Sequence, residues 1–218
     1  MLTIYEQLFL LSIHEEKGHM IPSVGDSLGY GLSGAILSEI ALLNKIKIED
    51  NHRLTVIDPT PIGEGVIDNA LIEIIASKNI RKISYWVKVL NDKPKRLHEI
   101  LGESLEKKGI VSRDDSKLNW IIPNPEFPET SASAKFMLKE HLRKIIFAGG
   151  EPNLRELSLL SLVKASGIMD LVFIKDERRI ARQKIYEMTI GMALINPIAQ
   201  LIEEIELAVD SLVDNDEK

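Results

Sequence analysis

Three glycines near the amino terminus have the spacing of a known ligand-binding motif. Gly29, Gly31 and Gly34 spell G-x-G-x-x-G, the fingerprint of a turn that holds a dinucleotide pyrophosphate at the start of a helix. Such a site also needs a buried strand before the glycines, but residues 19–28 are interrupted by proline and glycine. No second β-α-β unit follows. The glycines are therefore predicted to let a turn at the head of a helix pack closely against its neighbours.

No spacing of cysteine, histidine or serine residues in the sequence matches a known catalytic or metal-binding motif. The chain contains no cysteine, which excludes disulfides, zinc–thiolate ligation and a thiol nucleophile. None of its five histidines has a second histidine at a helical metal-binding spacing, and no H-E-x-x-H, G-x-S-x-G or phosphate-loop pattern occurs. Catalytic groups can still meet from distant positions. Nothing local favours an enzyme, and we expect no catalytic site, no metal and no cofactor.

Charge is distributed unevenly along the chain, whose formal net charge is −6. Residues 201–218 are acidic, whereas residues 78–117 contain more basic than acidic side chains. A basic surface attracts anionic partners, but a run of lysines on a helix is as often only a solvated face. Both interpretations stay open on charge alone.

The hydrophobic pattern predicts a mainly α protein, a single helical domain around one buried central helix. In residues 26–48, a glycine-rich turn leads into a helix that ends near Asn44, and a short strand follows. Apolar side chains cover nearly the whole circumference of this helix, which is typical of a helix wrapped by other helices. Glu39 is its one charged residue and would need a partner if it is buried.

The flanking elements follow from capping residues, helical stripes and turn signals. Thr3 with Glu6 predicts a capping box for the first helix, and Asn153 predicts the cap of a later one. We expect one domain over 1–218 with an acidic tail that frays from about residue 210, no leader peptide and no membrane-spanning segment. The remaining predicted elements are helices at 64–77, around Trp86, at 94–109, 133–147, 176–192 and from Pro197 onward, with small hairpins at 45–57 and 110–122.

Residues 94–123 allow two further interpretations. A helix followed by a hairpin is typical of a winged helix that binds nucleic acid, but the chain is acidic overall and lacks a recognition helix with base-reading side chains. The apolar residues Leu118, Trp120 and Ile121 could instead touch a membrane, assisted by the basic residues nearby. Packing on the domain's own core is the commoner fate of such a strand face.

Several segments resemble the Golgi phosphoprotein 3 family, in order and over nearly the whole chain. They are GLSGAILSEIALLNKIKI, DPTPIGEGVIDNAL, LEKKGIV and EPNLRELSLLSLVKASGIMDLVF. The resemblance implies a helical domain with a buried central helix and a projecting β-hairpin. It also implies a non-enzymatic peripheral membrane adaptor, because the eukaryotic members bind phosphatidylinositol 4-phosphate and hold glycosyltransferases in the Golgi.

The lipid site implied by this resemblance carries over only in part. The family's pocket arginine falls on Ser33 and its pocket tryptophan on Val24, while its two later basic positions fall on Lys95 and His98, with Arg96 adjacent. Serine cannot reproduce the two-pronged grip of arginine on phosphate, so the lipid specificity does not transfer. The pattern resembles a divergent, prokaryotic member of the family.

These observations lead to one principal expectation and two alternatives. We expect a cytoplasmic protein that meets a membrane face through an anionic lipid headgroup. The alternatives are a soluble protein-interaction module that has lost lipid binding and, third, a winged-helix-like nucleic-acid binder. The sequence does not identify a protein partner, and self-association into a homo-oligomer stays open. The headgroup residues are Ser33, Lys95, Arg96 and His98, and the membrane-contacting hairpin residues are Leu118, Trp120 and Ile121.

Overall fold

The computed structural model describes residues 1–13, 21, 27–49, 51–92, 97–114, 119–121 and 134–216, with 113, 114, 119–121 and 216 described by their backbone alone. The helices in these residues are α1 (Ile4–Ser12), α2 (Ser27–Leu42), α3 (Gly65–Ala76), α4 (Ile83–Asp92), α5 (Leu97–Lys107), α6 (Ala134–Phe147), α7 (Leu154–Ala165), α8 (Arg178–Ala193) and α9 (Pro197–Asp216). The strands are β1 (Ile46–Glu49), β2 (Arg53–Val56), β3 (Arg81–Lys82), β4 (Ser112–Asp114) and β5 (Asn119–Ile121). The predicted mainly α class is confirmed.

Helix α2 is the centre of the fold. It packs against α1, α3, α4, α7 and α9, so that its residues are buried around nearly the whole circumference. Leu28, Leu32, Leu37 and Ile40 on different faces of α2 all have no solvent-accessible surface. An apolar helix is stable in this position because every face meets another apolar surface. The predicted central helix is confirmed.

The three glycines of the motif lie inside α2, so the glycine-rich turn expected before the helix is wrong. A Cβ atom added to Gly31 would lie 2.1 Å from the Ser166 hydroxyl, and one added to Gly34 would lie 2.7 Å from a Leu162 methyl. The neighbouring segments therefore approach the α2 backbone more closely than any side chain would permit. The predicted close packing at the glycines is confirmed, although it occurs within the helix.

Capping residues begin α1 and α7 as the sequence predicts. The Thr3 hydroxyl accepts a hydrogen bond from the Glu6 backbone N–H, and the Glu6 carboxylate accepts one from the Thr3 N–H. Asn153 and Glu156 form the same reciprocal pair at α7. Such a capping box satisfies two backbone donors that would otherwise lack partners.

The one charge of α2 is buried and has the partners that burial requires. Glu39 Oε1 accepts a hydrogen bond from the backbone N–H of Ile4 at 2.6 Å and forms an ion pair with Arg155 Nη1. Since Ile4 begins α1 and Arg155 lies in the first turn of α7, one carboxylate joins three helices. A buried carboxylate without these contacts would be strongly destabilising.

Two small antiparallel sheets complete the described part of the chain. In the first, β1 pairs with β2 through a turn that places Asn51 and His52 at positive φ, and β2 pairs with β3. In the second, β4 pairs with β5 so that Arg113 lies opposite Trp120. Both predicted hairpins are confirmed, whereas the two-residue strand β3 is an addition that the sequence pattern did not indicate.

Helix α9 closes the core against α2, α4, α7 and α8. Leu201, Ile205 and Val209 on its inner face are buried. The helix continues to Asp216, into the segment expected to fray, and residues 217–218 lie outside the described part. Among the described helices, none combines the length and the apolar character needed to cross a bilayer.

Candidate functional site

Of the four predicted headgroup residues, two belong to the described residues and two lie outside them. Ser33 is fully buried in α2, where its hydroxyl donates a hydrogen bond to the Gly29 carbonyl at 2.9 Å. His98 lies in the first turn of α5, with its ring exposed on one side. Lys95 and Arg96 fall between α4 and α5, outside the described residues. Ser33 therefore has no face at the surface, whereas His98 does.

The His98 imidazole is supported by an aromatic ring of α1. It stacks nearly parallel on Phe9, with the ring centroids 5.7 Å apart and the planes inclined by 8°. Partial burial lowers the pKa of the His98 imidazole below its usual value. The ring is therefore mainly neutral at pH 7, with one nitrogen as a donor and the other as an acceptor.

The predicted membrane-contacting hairpin is present as backbone. Trp120 and Ile121 belong to β5, which pairs with β4, and Leu118 lies outside the described residues. The hairpin follows α5 after a short turn in which Gly109 has a φ of 68°. Glycine adopts this left-handed conformation without the strain that a Cβ atom would cause. The hairpin and His98 are therefore attached to opposite ends of the same helix.

Helix α5 is held in place by a buried carboxylate of α1. Glu6 accepts hydrogen bonds from Ser104 Oγ at 2.6 Å and from Lys108 Nζ at 2.6 and 2.7 Å, in addition to the Thr3 N–H at 2.8 Å. Burial raises the pKa of the Glu6 carboxyl, but the hydrogen bonds from Lys108, Ser104 and Thr3 outweigh burial and keep it below its ordinary value. Glu6 is therefore ionised at neutral pH and ties α5, with His98 on it, to α1.

A cavity of about 620 Å³ lies beside this contact, between α1, α3 and α5. Its walls include apolar side chains such as Ile36, Leu90 and Leu101, and Glu64, Glu73 and Glu103 line it as well. A phosphate-bearing headgroup would meet the electrostatic repulsion of these carboxylates. This cavity is therefore unfavourable for an anionic ligand.

Tyr5 also lines this cavity, and its phenol is protonated throughout the neutral range. Burial raises the pKa of Tyr5 to about 12, with nearby Glu6, Glu64 and Glu39 acting in the same direction and a hydrogen bond with Thr3 opposing them. A phenol of this kind is a poor general base at pH 7. Among the described residues, no group of three or more histidine, aspartate or glutamate side chains could hold a metal ion.

These helices and strands form one characteristic architecture. It is a helical domain wrapped around a glycine-containing central helix, with a β-hairpin attached to the end of α5. The model of the family described as Golgi phosphoprotein 3 (GPP34) matches residues 4–205, and the chain belongs to that family. The family resemblance drawn from the sequence is confirmed.

Two curated relatives are fungal proteins with the same name. The vacuolar protein sorting-associated protein 74 of Eremothecium gossypii is 23% identical over 165 residues, which cover 66% of this chain and 49% of the relative. The protein of that name from Schizosaccharomyces pombe is 24% identical over 165 residues, covering 66% of this chain and 48% of the relative. The chain thus spans about half the length of the curated relatives it matches. A prokaryotic origin has no support from these two relatives.

Proposed function

We propose that this chain is a non-enzymatic adaptor that associates peripherally with a membrane by binding an anionic lipid headgroup. The family match over residues 4–205 is the observation that carries the proposal. The relatives are named for an association with vacuolar protein sorting, and an adaptor connecting cargo with a membrane suits such a process.

The beginning of α5 is the proposed headgroup site. Lys95 and Arg96 directly precede this helix, and His98 lies in its first turn. The amino-terminal end of a helix carries a partial positive charge and free N–H groups, which favour a bound phosphate. A phosphate next to His98 would also favour the protonated imidazole. Ser33 is left out of this site because it is buried and its hydroxyl is already hydrogen-bonded.

The hairpin β4–β5 is the proposed apolar contact with the membrane. Its residues Leu118, Trp120 and Ile121 are large and apolar, and transfer of each such side chain out of water yields roughly 1.5–3 kcal/mol. Each basic residue near an anionic leaflet contributes about 1 kcal/mol. Two contributions of each kind are sufficient for reversible peripheral binding.

Co-sedimentation of the full chain with vesicles tests the proposal. We expect weak binding to phosphatidylcholine vesicles and stronger binding when they also contain phosphatidylinositol 4-phosphate. Lys95→Glu combined with Arg96→Glu should weaken this binding at least thirtyfold, because removing two favourable charges costs about 2 kcal/mol. The matched control is Lys175→Glu with Arg179→Glu, two exposed positions before and within the first turn of α8.

Two results would contradict the proposal. One is binding that does not depend on the anionic lipid, and the other is an equal loss in the α8 control. The alternative of a soluble protein-interaction module is favoured by one observation, the buried serine at the position of the family's arginine. That alternative predicts that the chain stays in the supernatant with every vesicle composition.

A further inference from the structure

A basic surface lies where β2, β3 and α4 meet. It is a groove of about 380 Å³ whose edge is completed by Leu212 of α9. We call it the basic groove, because four cationic side chains line it and, among the described residues, no carboxylate does. Its cationic residues are Arg53, Arg81, Lys82 and Lys88, and the others that line it are Ile80, Ser84, Tyr85 and Leu212.

The cations of the basic groove differ from several cations elsewhere because no acidic side chain of the described residues pairs with them. Lys45, Lys108 and Arg143 each form an ion pair with a carboxylate, at 2.9, 2.6 and 2.6 Å respectively. In the described part of the chain, no carboxylate lies within ion-pair distance of the four groove cations. Four like charges gathered in one concavity raise the local positive potential, which favours a multiply charged anion.

Two of the four cations are already positioned by neighbouring groups. The Arg81 guanidinium lies 5.0 Å from the centre of the Tyr85 ring, and Arg53 Nη1 donates a hydrogen bond to the Ile80 carbonyl at 3.5 Å. A guanidinium held in this way loses less conformational freedom when it binds a ligand. Its planar fork matches two oxygens of a phosphate. The amino-terminal end of α4, which begins at Ile83, adds a partial positive charge.

The size of the groove and the exposed apolar residues limit the ligand further. A volume of about 380 Å³ lies within the range typical of small-molecule sites. Ile80 and Tyr85 are exposed by 53% and 43% beside the cations. From these four cations and the size of the groove, we infer that the basic groove binds a small ligand carrying two or more phosphates, either free or as a lipid headgroup. The described residues that line the groove include none of those proposed for the headgroup site at α5.

Titration calorimetry with inositol 1,4,5-trisphosphate, together with vesicle co-sedimentation, tests this inference. The variant is Arg81→Gln with Lys88→Gln, which removes two charges from exposed positions and keeps side chains of similar length. We expect at least a tenfold loss of affinity for the trisphosphate, and the slope of log affinity against log salt should become shallower. Lys175→Gln with Arg179→Gln is the matched control and should bind as the wild type does.

Comparing the free trisphosphate with vesicles shows whether the ligand is soluble or a lipid. Comparing the groove variant with the α5 variant shows which of the two sites binds it. Groove-dependent binding of the free trisphosphate but not of vesicles assigns a soluble ligand, and groove-dependent binding of vesicles containing phosphatidylinositol 4,5-bisphosphate assigns a lipid. Lys95→Glu with Arg96→Glu should leave binding of the free trisphosphate within twofold of wild type. The inference is overturned if neither probe binds, if the groove variant binds as tightly as wild type, or if the control loses as much affinity. Circular dichroism and thermal melting of each variant verify that it is folded.

Discussion

Single carboxylates join elements that are far apart in the sequence. Glu6 binds the amino-terminal end of its own helix, Ser104 of α5 and Lys108 directly after α5. Glu39 binds the start of α1 and Arg155. Hydrogen bonds to charged groups contribute about 1.5–3 kcal/mol each, compared with about 0.5–1.5 kcal/mol for neutral ones. Removing the charge of Glu6 should therefore have a measurable cost.

We expect Glu6→Gln to lower the free energy of unfolding by about 1–2 kcal/mol. The amide keeps an acceptor for the Thr3 N–H but loses the charged contact with Lys108, whose side chain is 41% exposed and can be rehydrated. Urea denaturation monitored by circular dichroism measures the difference. Glu151→Gln, at an exposed position before α7, is the control and should change the stability by less than about 0.5 kcal/mol.

The stabilisation by Glu6 should disappear in acid. Because its pKa in the folded protein lies below the unfolded value, its contribution is fully present above the unfolded pKa, about 4.3, and is lost as the pH falls through the folded pKa. The difference between wild type and Glu6→Gln should thus shrink as the pH is lowered from 6 to 3. A difference that stays constant over this range would show that the carboxylate charge is not its source.

The protonation state of the His98 imidazole should make vesicle binding depend on pH. Its lowered pKa leaves the ring neutral at pH 7.5, and protonation below its pKa adds a positive charge at the proposed headgroup site. We expect binding to anionic vesicles to strengthen about fivefold between pH 7.5 and 5.5, as one added charge is worth about 1 kcal/mol. His98→Gln should remove most of this increase, whereas His141→Gln, on α6, should retain it.

Among the helices, α2 can pack closely against its neighbours because glycine leaves no side chain at certain contact positions. A Cβ atom at Gly34 would lie 2.7 Å from Leu162 Cδ2 and 2.8 Å from Val209 Cγ2, which belong to α7 and α9. Both neighbours are buried and cannot move without disturbing the core. By contrast, a Cβ added to Gly191 in α8 would have no atom of the other described residues within 4 Å, apart from the backbone of its own helix.

Alanine substitution should therefore have opposite effects at these two helical glycines. Alanine favours a helix over glycine by about 1 kcal/mol, and overpacking costs about 1–3 kcal/mol. Gly34→Ala should lower the free energy of unfolding by about 1–2 kcal/mol, whereas Gly191→Ala should raise it by about 0.5–1 kcal/mol. Equal shifts of the midpoint in urea for both variants would contradict a close contact at Gly34.

Elements defined by neighbouring residues were predictable, and those defined by distant partners were not. The capping box at Thr3 and the helix cap at Asn153 involve residues at most three apart, so the sequence indicated both correctly. The glycines of α2 were wrongly predicted to form a turn. Leu162 and Val209, whose close approach requires a glycine at position 34, are remote in the sequence, so no local pattern indicated this contact. Strand β3 was missed because two residues carry no alternating pattern.

The same distinction applies to the candidate sites. The basic stretch at 78–117 could be counted in the sequence, but the pairing of β2 with β3 is what brings Arg53 to its edge. Ser33 is buried because other helices pack around α2. Matching the motif of this chain to that of the family indicates which residue stands at this position, but not whether it is buried. Likewise, the burial of Lys135, whose ammonium group donates to the Ile13 carbonyl, had no signal in the helical pattern.

For the whole molecule, the contacts of α9 predict one cooperative unit. The helix packs on α2, α4, α7, α8 and β1, and its buried side chains include Leu201, Ile205 and Val209. We expect a single thermal transition for the full chain and no cooperative transition for residues 1–196. Losing several large buried side chains at roughly 1.5–3 kcal/mol each approaches the 5–15 kcal/mol of a typical domain. Two separate transitions for the full chain would contradict the prediction of one domain.

The dependence of α2 on α9 also has a consequence for synthesis in the cell. Ribosomes deliver α2 early and α9 late, at roughly 5–20 residues per second. During that interval, the apolar central helix has only α1, α3 and α4 of its main helical partners available to cover it, and the sides that later face α7 and α9 stay open. A nascent chain of this kind is a natural client for chaperones that bind apolar segments, and slow translation of the last third would prolong its exposure to aggregation.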